Sequence, residues 1–527
     1  MPKTGPDARG SAVPHEIELK LAVPKDKLAR LRRNPLLRSL ARARSATKRL
    51  RSIYFDTPDL KLQRHGMALR IRHDGARRIQ TLKLPVAGAG GLHNHREFDA
   101  EVAGEHPDLS LVEDVGLREF FQANEIGGDL VPVFETDFDR KIVPLRMVDS
   151  EIELAIDVGE IRSGAHRMPL CEAELELQSG RAGRLFELAL ALHGMLPVLI
   201  ETRTKAARGY GLYIESAPAP ERAQPVELDG GMRVRDAIAA VVRNCLRQIR
   251  NNGPCVERGE DPEGVHQMRV GVRRLRAALA AFRELLAPDV HHYLAGELRW
   301  LQTQLGPARD WDVFIAETLQ PLRRRLPDDL ALEAMWREAE SLRRDGYVTA
   351  RAALSDPRYT ELVLRLELLL ESGGWSPSMP PERTMLDEPV AALAAPLLQR
   401  RHRRMRKLGG KHGDLPEPDL HELRLRGKKL RYLAEFFRTL YAPKPARRYL
   451  AALSEIQEAL GSLNDALVSR QLLSELEGRL GASAPALGTR GVGIVLGWQA
   501  ARIEQDLGRF RGVWESFLAQ KPFWAKG

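Results

Sequence analysis

The chain contains 527 residues, 43% hydrophobic and 29% charged, with a net charge of +10 at pH 7. This length predicts roughly two to four domains, and the composition excludes a chain that is disordered throughout. No stretch approaches the ~18 apolar residues of a membrane-spanning helix, so we expect a cytoplasmic protein without membrane association. The three cysteines have no spacing typical of a zinc site or a redox motif.

Short alternating strands, separated by Gly and Pro, are predicted between about residues 15 and 210. Helical stretches interrupt them near residues 25–33, 114–124 and 181–194. Strands and helices in this order are typical of an antiparallel α+β domain.

Charged side chains occupy one face of several of these strands, often with a single sign. The acidic positions are Glu16, Glu18, Glu153, Asp157, Glu172, Glu174 and Glu176, and the basic positions are Lys20, Arg70, Arg72 and Lys83. Alternation alone is also typical of a sheet with one face in water. Like charges two residues apart repel, however, so five such strands favour a lined cavity that binds divalent metal and phosphate.

A linker at residues 216–231 precedes a part rich in Ala, Leu, Arg and Glu, which predicts helix bundles. A second breaker begins at Gly373. The two helical parts repeat each other, because residues 265–282 align with 420–437 at an offset of 155 that also pairs Asp310 with Asp465. This register predicts duplicated bundles with a pseudo-twofold arrangement.

Each repeat contains a helix with cationic residues spaced three, four and three apart, which places them in one stripe. The two stripes are His266, Arg269, Arg273 and Arg276, and His421, Arg424, Lys428 and Arg431. A solvated helix face is the alternative, but acids are scarce on these stripes, and the excess positive charge lies mostly in this half of the chain. We therefore predict a polyanion-binding surface, and we do not expect nucleic acid because few aromatic residues accompany the cations.

The N-terminal part, residues 13–215, resembles the CYTH family of triphosphate tunnel metalloenzymes. The resemblance rests on Glu16-x-Glu18-x-Lys20, Tyr54-Phe55-Asp56-Thr57, the Leu69-Arg70-Ile71-Arg72 strand, Thr81-Leu82-Lys83, the Glu172/Glu174/Glu176 strand and Thr204-Lys205-Ala206. It implies an antiparallel eight-stranded β-barrel that forms a tunnel with flanking helices.

The C-terminal part resembles a CHAD domain, a duplicated helical module associated with inorganic polyphosphate. Its signature is His266-Gln267-Met268-Arg269-Val270. The implied organisation is a first helical half at 232–372, a linker at 373–386 and a second half at 387–520. The whole chain is then a multidomain α+β protein with a C-terminal all-α duplicated bundle, similar to bacterial inorganic triphosphatases.

These resemblances imply hydrolysis of inorganic triphosphate to pyrophosphate and phosphate with Mg²⁺ or Mn²⁺, and binding of inorganic polyphosphate, with association with polyphosphate granules as a further expectation. The alternatives are a non-catalytic polyphosphate-binding protein, or a thiamine or nucleoside triphosphatase of the same fold. The resemblance implies that Glu16, Glu18 and Lys20 are catalytic and that Arg70, Arg72, Lys83, Arg140 and Lys205, with Lys20, hold the triphosphate. It implies a metal site among Glu16, Glu18, Glu153, Asp157, Glu172, Glu174 and Glu176, and polyphosphate binding by the two cationic stripes.

Overall fold

The structure is a computed structural model that describes residues 15–85, 93–215, 217–373, 385–410, 415–481 and 484–525. The chain divides into two compact units. The first unit comprises the described residues up to Pro218 together with Val363–Ser372, and the second comprises Ala219–Leu362 and the described residues from Gly373 onward.

The first unit is built on one antiparallel sheet of nine strands in the order β5-β4-β3-β2-β6-β7-β8-β1-β9. The strands are β1 His15–Ala22, β2 Ala46–Asp56, β3 Ala68–Asp74, β4 Arg77–Pro85, β5 His93–Glu101, β6 Val131–Met147, β7 Ser150–Ser163, β8 His166–Ser179 and β9 Leu199–Ile200. The long hairpin strands β6, β7 and β8 are joined by two tight turns, which place Val148 and Gly164 at positive φ.

The antiparallel sheet predicted from the sequence is confirmed, with nine strands where eight were expected. The difference is β9, a two-residue strand that pairs with Leu21 and Ala22 of β1. Strand β1 also pairs with β8 and, through its first residues, with β5, so that Glu18 lies opposite both Glu176 and His93.

Six helices accompany this sheet: α1 Leu28–Arg32, α2 Pro35–Leu40, α3 Lys61–Arg64, α4 Val115–Ala123, α5 Gly183–Met195 and α6 Lys205–Ile214. Helices α1, α2 and α5 pack on apolar strand residues in one core and α3 and α4 in another, whereas α6 contacts carboxylates of the charged strand face. Leu19 and Leu175 pack in one core with Phe186 of α5, and Leu69 packs in another with Phe121 of α4. Because side chains alternate along a strand, this burial leaves the charged residues together on the opposite face.

The second unit is helical in its described residues. Its helices are α7 Val234–Asn251, α8 Gly253–Arg258, α9 Pro262–Ala281, α10 Pro288–Gln304, α11 Gly306–Phe314, α12 Gln320–Arg325, α13 Leu330–Ser355, α14 Pro357–Ser372, α15 Val390–Gly409, α16 Glu417–Phe437, α17 Pro443–Ala459, α18 Gly461–Gly481 and α19 Pro485–Ala519. Helix α14 ends in the residues grouped with the first unit.

The sequence repeat reappears as a repeat of helices. Helix α10 and its counterpart α17 begin and end at the same offset as the sequence motifs, and a short 3₁₀ turn precedes each of them. Helices α9 and α16, which carry the two cationic stripes, pack against each other. Within the described ranges, no helix has both the length and the apolar character to cross a membrane.

Candidate active site

Strand register brings the charged residues of the first unit together on one face of the sheet. Asp157 of β7 lies opposite Glu172 of β8 and opposite Arg140 of β6. Glu174 lies opposite Lys20 of β1. Pairing between distant strands therefore places acids and bases of separate sequence motifs side by side.

Three of the predicted metal residues form an acidic cluster: Asp157, Glu172 and Glu174. Each offers a carboxylate oxygen, and these oxygens all lie within 4.8 Å of one another. Asp157 and Glu172 are completely buried, and Glu174 is 5% exposed. Buried carboxylate oxygens at this spacing fit a hard divalent cation such as Mg²⁺ or Mn²⁺.

The ammonium group of Lys205 lies at the centre of this acidic cluster. Its Nζ is 2.7 Å from Asp157 and 2.8 Å from Glu174, and it also contacts Glu172. Thr204 fixes its position by capping α6, since the Thr204 hydroxyl accepts a hydrogen bond from the amide of Ala207 at 3.0 Å. Burial alone would lower the pKa of Lys205, but the three carboxylates raise it above the ordinary value. The negative charge of the acidic cluster is thus partly balanced by a lysine of the chain itself.

Strand β3 supplies two arginines that we call the arginine pair, Arg70 and Arg72. Arg70 donates to the hydroxyl of Tyr54 at 3.5 Å, and Arg72 donates to that of Ser52 at 3.5 Å. In the part of the chain that the structure describes, neither has a carboxylate oxygen within 4.0 Å. Burial, then Arg70 and Arg140, lower the pKa of Arg72 to about 10. Glu97 acts on both arginines from a greater distance. Adjacent guanidinium groups without a contacting carboxylate are an anion-binding arrangement.

The other predicted phosphate-binding cations all contact carboxylates. Lys20 lies 2.6 Å from Glu18 and also contacts Glu174. Arg140 makes a bidentate pair with Asp157, at 2.8 and 2.7 Å, and contacts Glu174. Lys83 and Glu97 contact each other across β4 and β5. Despite burial, Lys20, Lys205 and Arg140 hold the pKa of Glu174 well below its ordinary value.

The remaining predicted metal residues lie outside the acidic cluster. Glu153 lies opposite Glu176 on the same face, and Glu176 accepts a hydrogen bond from Gln178 at 2.8 Å. Glu18 is engaged with Lys20. The side chain of Glu16 lies outside the part of the chain that the structure describes.

Two buried features of this site were not predicted. Arg208, one turn beyond Lys205 in α6, contacts Glu172 and lies 3.8 Å from Glu201. Its spacing of three residues from Lys205 was the available signal. Asp56, quoted above only as part of a motif, accepts hydrogen bonds from the amides of Thr57 and Leu62 at 2.7 and 2.9 Å and from the hydroxyl of Tyr210 at 2.9 Å.

In the second unit, the cationic stripes meet in a group that we call the cation cluster: Arg273 of α9 with Arg424 and Lys428 of α16. Among the described residues, none of the three has a carboxylate oxygen within 4.0 Å. Burial, then Arg424 and Arg273, lower the pKa of Lys428 to about 7. As in the first unit, neighbouring cations are held together without a contacting acid.

The other members of the stripes have partners of their own or lie beside further cations. Arg269 donates to the carbonyl of Leu305 at 3.0 Å and lies 3.6 Å from Asp310. Burial and the nearby Arg309 lower the pKa of His266 to about 4, so this residue is neutral at pH 7. Arg276 donates a hydrogen bond to the side-chain oxygen of Gln302. The guanidinium group of Arg431 lies 3.4 Å from the carboxylate of Glu435 and 3.4 Å from the hydroxyl of Ser454. His421 has a buried Nδ1 without a hydrogen-bond partner among the described residues.

Comparison with known proteins matches both units. The model of the CYTH domain matches residues 14–210, and that of the CHAD domain matches residues 240–474. The inorganic triphosphatase of Haemophilus influenzae is 33% identical over 162 residues, which cover 31% of this chain and 45% of that protein. The chain therefore spans less than half the length of this relative.

Two further proteins are similar over longer shares of their length. An uncharacterized protein of Mycobacterium tuberculosis is 26% identical over 469 residues, covering 81% of this chain and 82% of that protein. The crystal structure of the CHAD domain from the plant Ricinus communis has 35% sequence identity and a TM-score of 0.50, covering 57% of this chain and 98% of that chain.

Proposed function

Because the chain belongs to the CYTH and CHAD families, we propose that its first unit hydrolyses inorganic triphosphate to pyrophosphate and phosphate with Mg²⁺ or Mn²⁺. The relative of Haemophilus influenzae that is named an inorganic triphosphatase supports this assignment for the first unit, because its 33% identity over 162 residues falls on the CYTH region. Its second unit binds inorganic polyphosphate.

One observation carries the catalytic proposal. The arginine pair and the acidic cluster lie on the same charged face, and each contains like charges held close together. Guanidinium groups without a contacting carboxylate suit the oxygens of a condensed phosphate, and clustered carboxylates suit a divalent cation. A metal-bound oligophosphate presents both kinds of charge at once.

We propose further that eight strands enclose the charged face as a tunnel. Strand β1 pairs with β5 as well as with β8, so each of the strands β1 to β8 has two hydrogen-bonded neighbours. The apolar faces of the same strands pack on helices, which supports an outward apolar and an inward charged surface.

In this proposal, Arg70, Arg72 and Lys83 bind phosphate oxygens and hold the substrate in line for attack by water. The new bond forms between the water oxygen and a terminal phosphorus, the bridging P–O bond breaks, and pyrophosphate leaves. A divalent ion held by Asp157, Glu172 and Glu174 would neutralise charge on the phosphate oxygens.

The residues Glu16, Glu18 and Lys20 stay our candidates for orienting the attacking water and balancing charge beside it. Lys20 supports this role because it is buried between Glu18 and Glu174 and links one candidate carboxylate to the acidic cluster. Arg140 and Lys205 contact the carboxylates of the acidic cluster. We propose that they bind phosphate oxygens while they keep these contacts.

A second candidate function is binding without turnover, and one observation favours it. Lys205 contacts all three carboxylates of the acidic cluster, so a metal ion has to compete with a cation of the protein itself. In this case the first unit is inactive and the second attaches the protein to polyphosphate.

The test is phosphate release by the full chain from tripolyphosphate, thiamine triphosphate and ATP, with Mg²⁺ and with Mn²⁺. We expect metal-dependent release from tripolyphosphate above the other two substrates. The Arg70→Gln/Arg72→Gln variant should lose it, whereas Arg49→Gln, an exposed β2 arginine paired with Asp137, should keep it. Absence of release from every substrate would favour the binding function, and faster release from either organic triphosphate would reassign the substrate.

Polyphosphate binding by the second unit is proposed from the cation cluster. The stripes of α9 and α16 meet there because the two helices pack together, and the cluster combines half-buried cations from both repeats. Partial burial strengthens the attraction of such cations for a polyanion. Retention of the full chain on immobilised polyphosphate, lost in an Arg273→Gln/Arg424→Gln/Lys428→Gln variant, tests it.

A further inference from the structure

We propose that a pocket beside the cation cluster, lined by Arg269, Arg276 and Arg299, is a phosphate-binding subsite for inorganic polyphosphate, and that its counterpart in the second repeat is not. We call it the Arg276 pocket. The inference rests on the proposed polyphosphate binding. It means that, of the two repeats of the second unit, only the first provides this additional phosphate site.

The Arg276 pocket is a concave site within the second unit. It has a volume of about 460 Å³ and lies between α9, α10, the start of α11, and α18. Besides the three arginines, its polar lining includes Gln302, Thr303, Asp310, Gln471 and Glu475. This volume falls in the range of ~300–1,000 Å³ that is usual for small-molecule sites, and it accommodates several phosphate groups.

Two of the arginines carry charge that no acid contacts. Arg276 is half-buried and donates to the side-chain oxygen of Gln302, and Arg299 is exposed. Neither has a carboxylate oxygen within 4.0 Å in the described ranges. Burial and the proximity of Arg299 lower the pKa of Arg276, which shows that the two guanidinium groups repel each other.

The two acids of the pocket do not cancel this charge. Asp310 is associated with Arg269, at 3.6 Å, and Glu475 is an exposed residue on α18. Arg276 and Arg299 are therefore left as a pair of donors that match the oxygens of a phosphate group.

At four positions around the counterpart of Arg276, the second repeat carries more negative charge than the first. At the sequence offset, Arg431 replaces Arg276, Ser454 replaces Arg299, Glu435 replaces Ala280 and Glu458 replaces Thr303. These four positions carry two positive charges in the first repeat, against one positive and two negative charges in the second.

In the second repeat, the residues that differ contact the counterpart of Arg276. Arg431 lies 3.4 Å from Glu435, one turn further along α16, and donates to the hydroxyl of Ser454 at 3.4 Å. The guanidinium group that corresponds to Arg276 is thus already occupied, and Glu458 would repel a phosphate nearby.

The Arg276 pocket is continuous with the cation cluster along one helix. Arg269 and Arg276 line the pocket, and Arg273 lies between them in the same stripe of α9. A polyphosphate chain bound at the cluster can therefore follow α9 into the pocket. On α16, the same path ends at the pair formed by Arg431 and Glu435.

The experiment measures binding of polyphosphate of about 100 phosphates to the full chain by titration calorimetry in EDTA, across a series of salt concentrations. The Arg276→Gln/Arg299→Gln variant should weaken binding by at least ~10-fold, because two charged hydrogen-bond donors are lost. Its slope of log K against log salt should fall by about two, as for two lost phosphate contacts.

The counterpart Arg431→Gln tests the one-sidedness, because the ion pair with Glu435 should leave it with a smaller loss than the Arg276→Gln/Arg299→Gln variant. The exposed Lys429→Gln, outside both stripes, is the control and should bind within twofold of the parent. A graft, Glu435→Ala/Ser454→Arg/Glu458→Thr, should strengthen binding by restoring the pocket in the second repeat. Circular dichroism confirms that each variant is folded.

The outcomes separate this inference from the function on which it rests. If the Arg276→Gln/Arg299→Gln variant binds like the parent, or loses no more than Arg431→Gln, the subsite is wrong. Should the variant of the cation cluster alone lose affinity, polyphosphate binding stands without the pocket. A parent chain that binds no polyphosphate overturns both.

Discussion

Replacing Arg72 should stabilise the first unit and at the same time remove its affinity for triphosphate. Arg72 is held beside Arg70 without a contacting carboxylate, and its pKa is lowered to about 10. Each unit of pKa corresponds to about 1.4 kcal/mol, so the charged form is destabilised by about 3 kcal/mol. At neutral pH, below the folded-state pKa, this penalty is present in full, and it declines only above about pH 10.

The Arg72→Met change keeps the apolar stem and removes the charge. Because water screens part of the penalty at a half-buried side chain, we expect a gain of about 2 kcal/mol in the free energy of unfolding. For a unit of about 200 residues this raises the melting temperature by about 4–8 °C.

Differential scanning calorimetry of the full chain, with and without tripolyphosphate, measures both effects. The parent should be stabilised by tripolyphosphate, because a ligand that binds only the folded state raises its stability. The Arg72→Met variant should melt higher than the parent without ligand and gain little from it.

Arg49→Met is the matched control. Arg49 is an exposed arginine of the same sheet, paired with Asp137, and its replacement should leave both the melting temperature and the ligand shift nearly unchanged. A lower melting temperature for Arg72→Met without ligand would refute the reasoning, as would an undiminished shift with tripolyphosphate.

Three further outcomes are expected. Lys205→Met should raise the affinity of the full chain for Mn²⁺ by at least ~10-fold in calorimetric titration, because the ion no longer competes with an ammonium group at the acidic cluster. Asp56→Ala should lower the free energy of unfolding of the first unit by about 3 kcal/mol in urea titration, because the amides of Thr57 and Leu62 and the hydroxyl of Tyr210 lose their buried acceptor. Affinity for polyphosphate should fall as the pH rises from 7 to 9, by up to ~10-fold per unit, because Lys428, with a pKa of about 7, must take up a proton to bind an anion.

Each outcome has a control variant. Lys48→Met, at an exposed lysine paired with Asp74, should leave the affinity for Mn²⁺ unchanged. Asp59→Ala, at an exposed carboxylate, should leave the free energy of unfolding nearly unchanged. Lys428→Arg should abolish the pH dependence while the exposed Lys429→Arg keeps it. Equal Mn²⁺ affinity in Lys205→Met, a neutral Asp56→Ala, or a flat pH profile of the parent would contradict the respective arguments.

The charged face of the sheet could be predicted from sequence because strand periodicity alone decides which side chains lie together. Lys20, Arg70 and Glu174 fall on that face by alternation. Which cation contacts which acid depends instead on strand register, and Arg140 lies opposite Asp157 only because β6 and β7 form a hairpin with that particular turn. The sequence therefore did not reveal that Arg140, predicted as a phosphate ligand, contacts Asp157 and Glu174.

In the helical unit, too, the sequence predicts which residues share a face but not which residues come into contact. The repeat at constant offset correctly indicated that α9 and α16 correspond, and their stripes do meet. The difference in charge between the two repeats is also visible in the sequence, since Glu435 lies four residues after Arg431 and can pair with it on a helix. What could not be read was that Arg273, Arg424 and Lys428 come together, because this depends on how the two helices cross.

The position of Lys205 bears on how the first unit folds before any metal ion is bound. Many small metalloproteins collapse when stripped, since their ligands repel one another once the ion is gone. On the proposed function, the ammonium group of Lys205 takes the place of the metal ion as the counter-charge of the acidic cluster, so we expect the first unit to fold without divalent metal. Metal binding would then exchange this ammonium group for the ion.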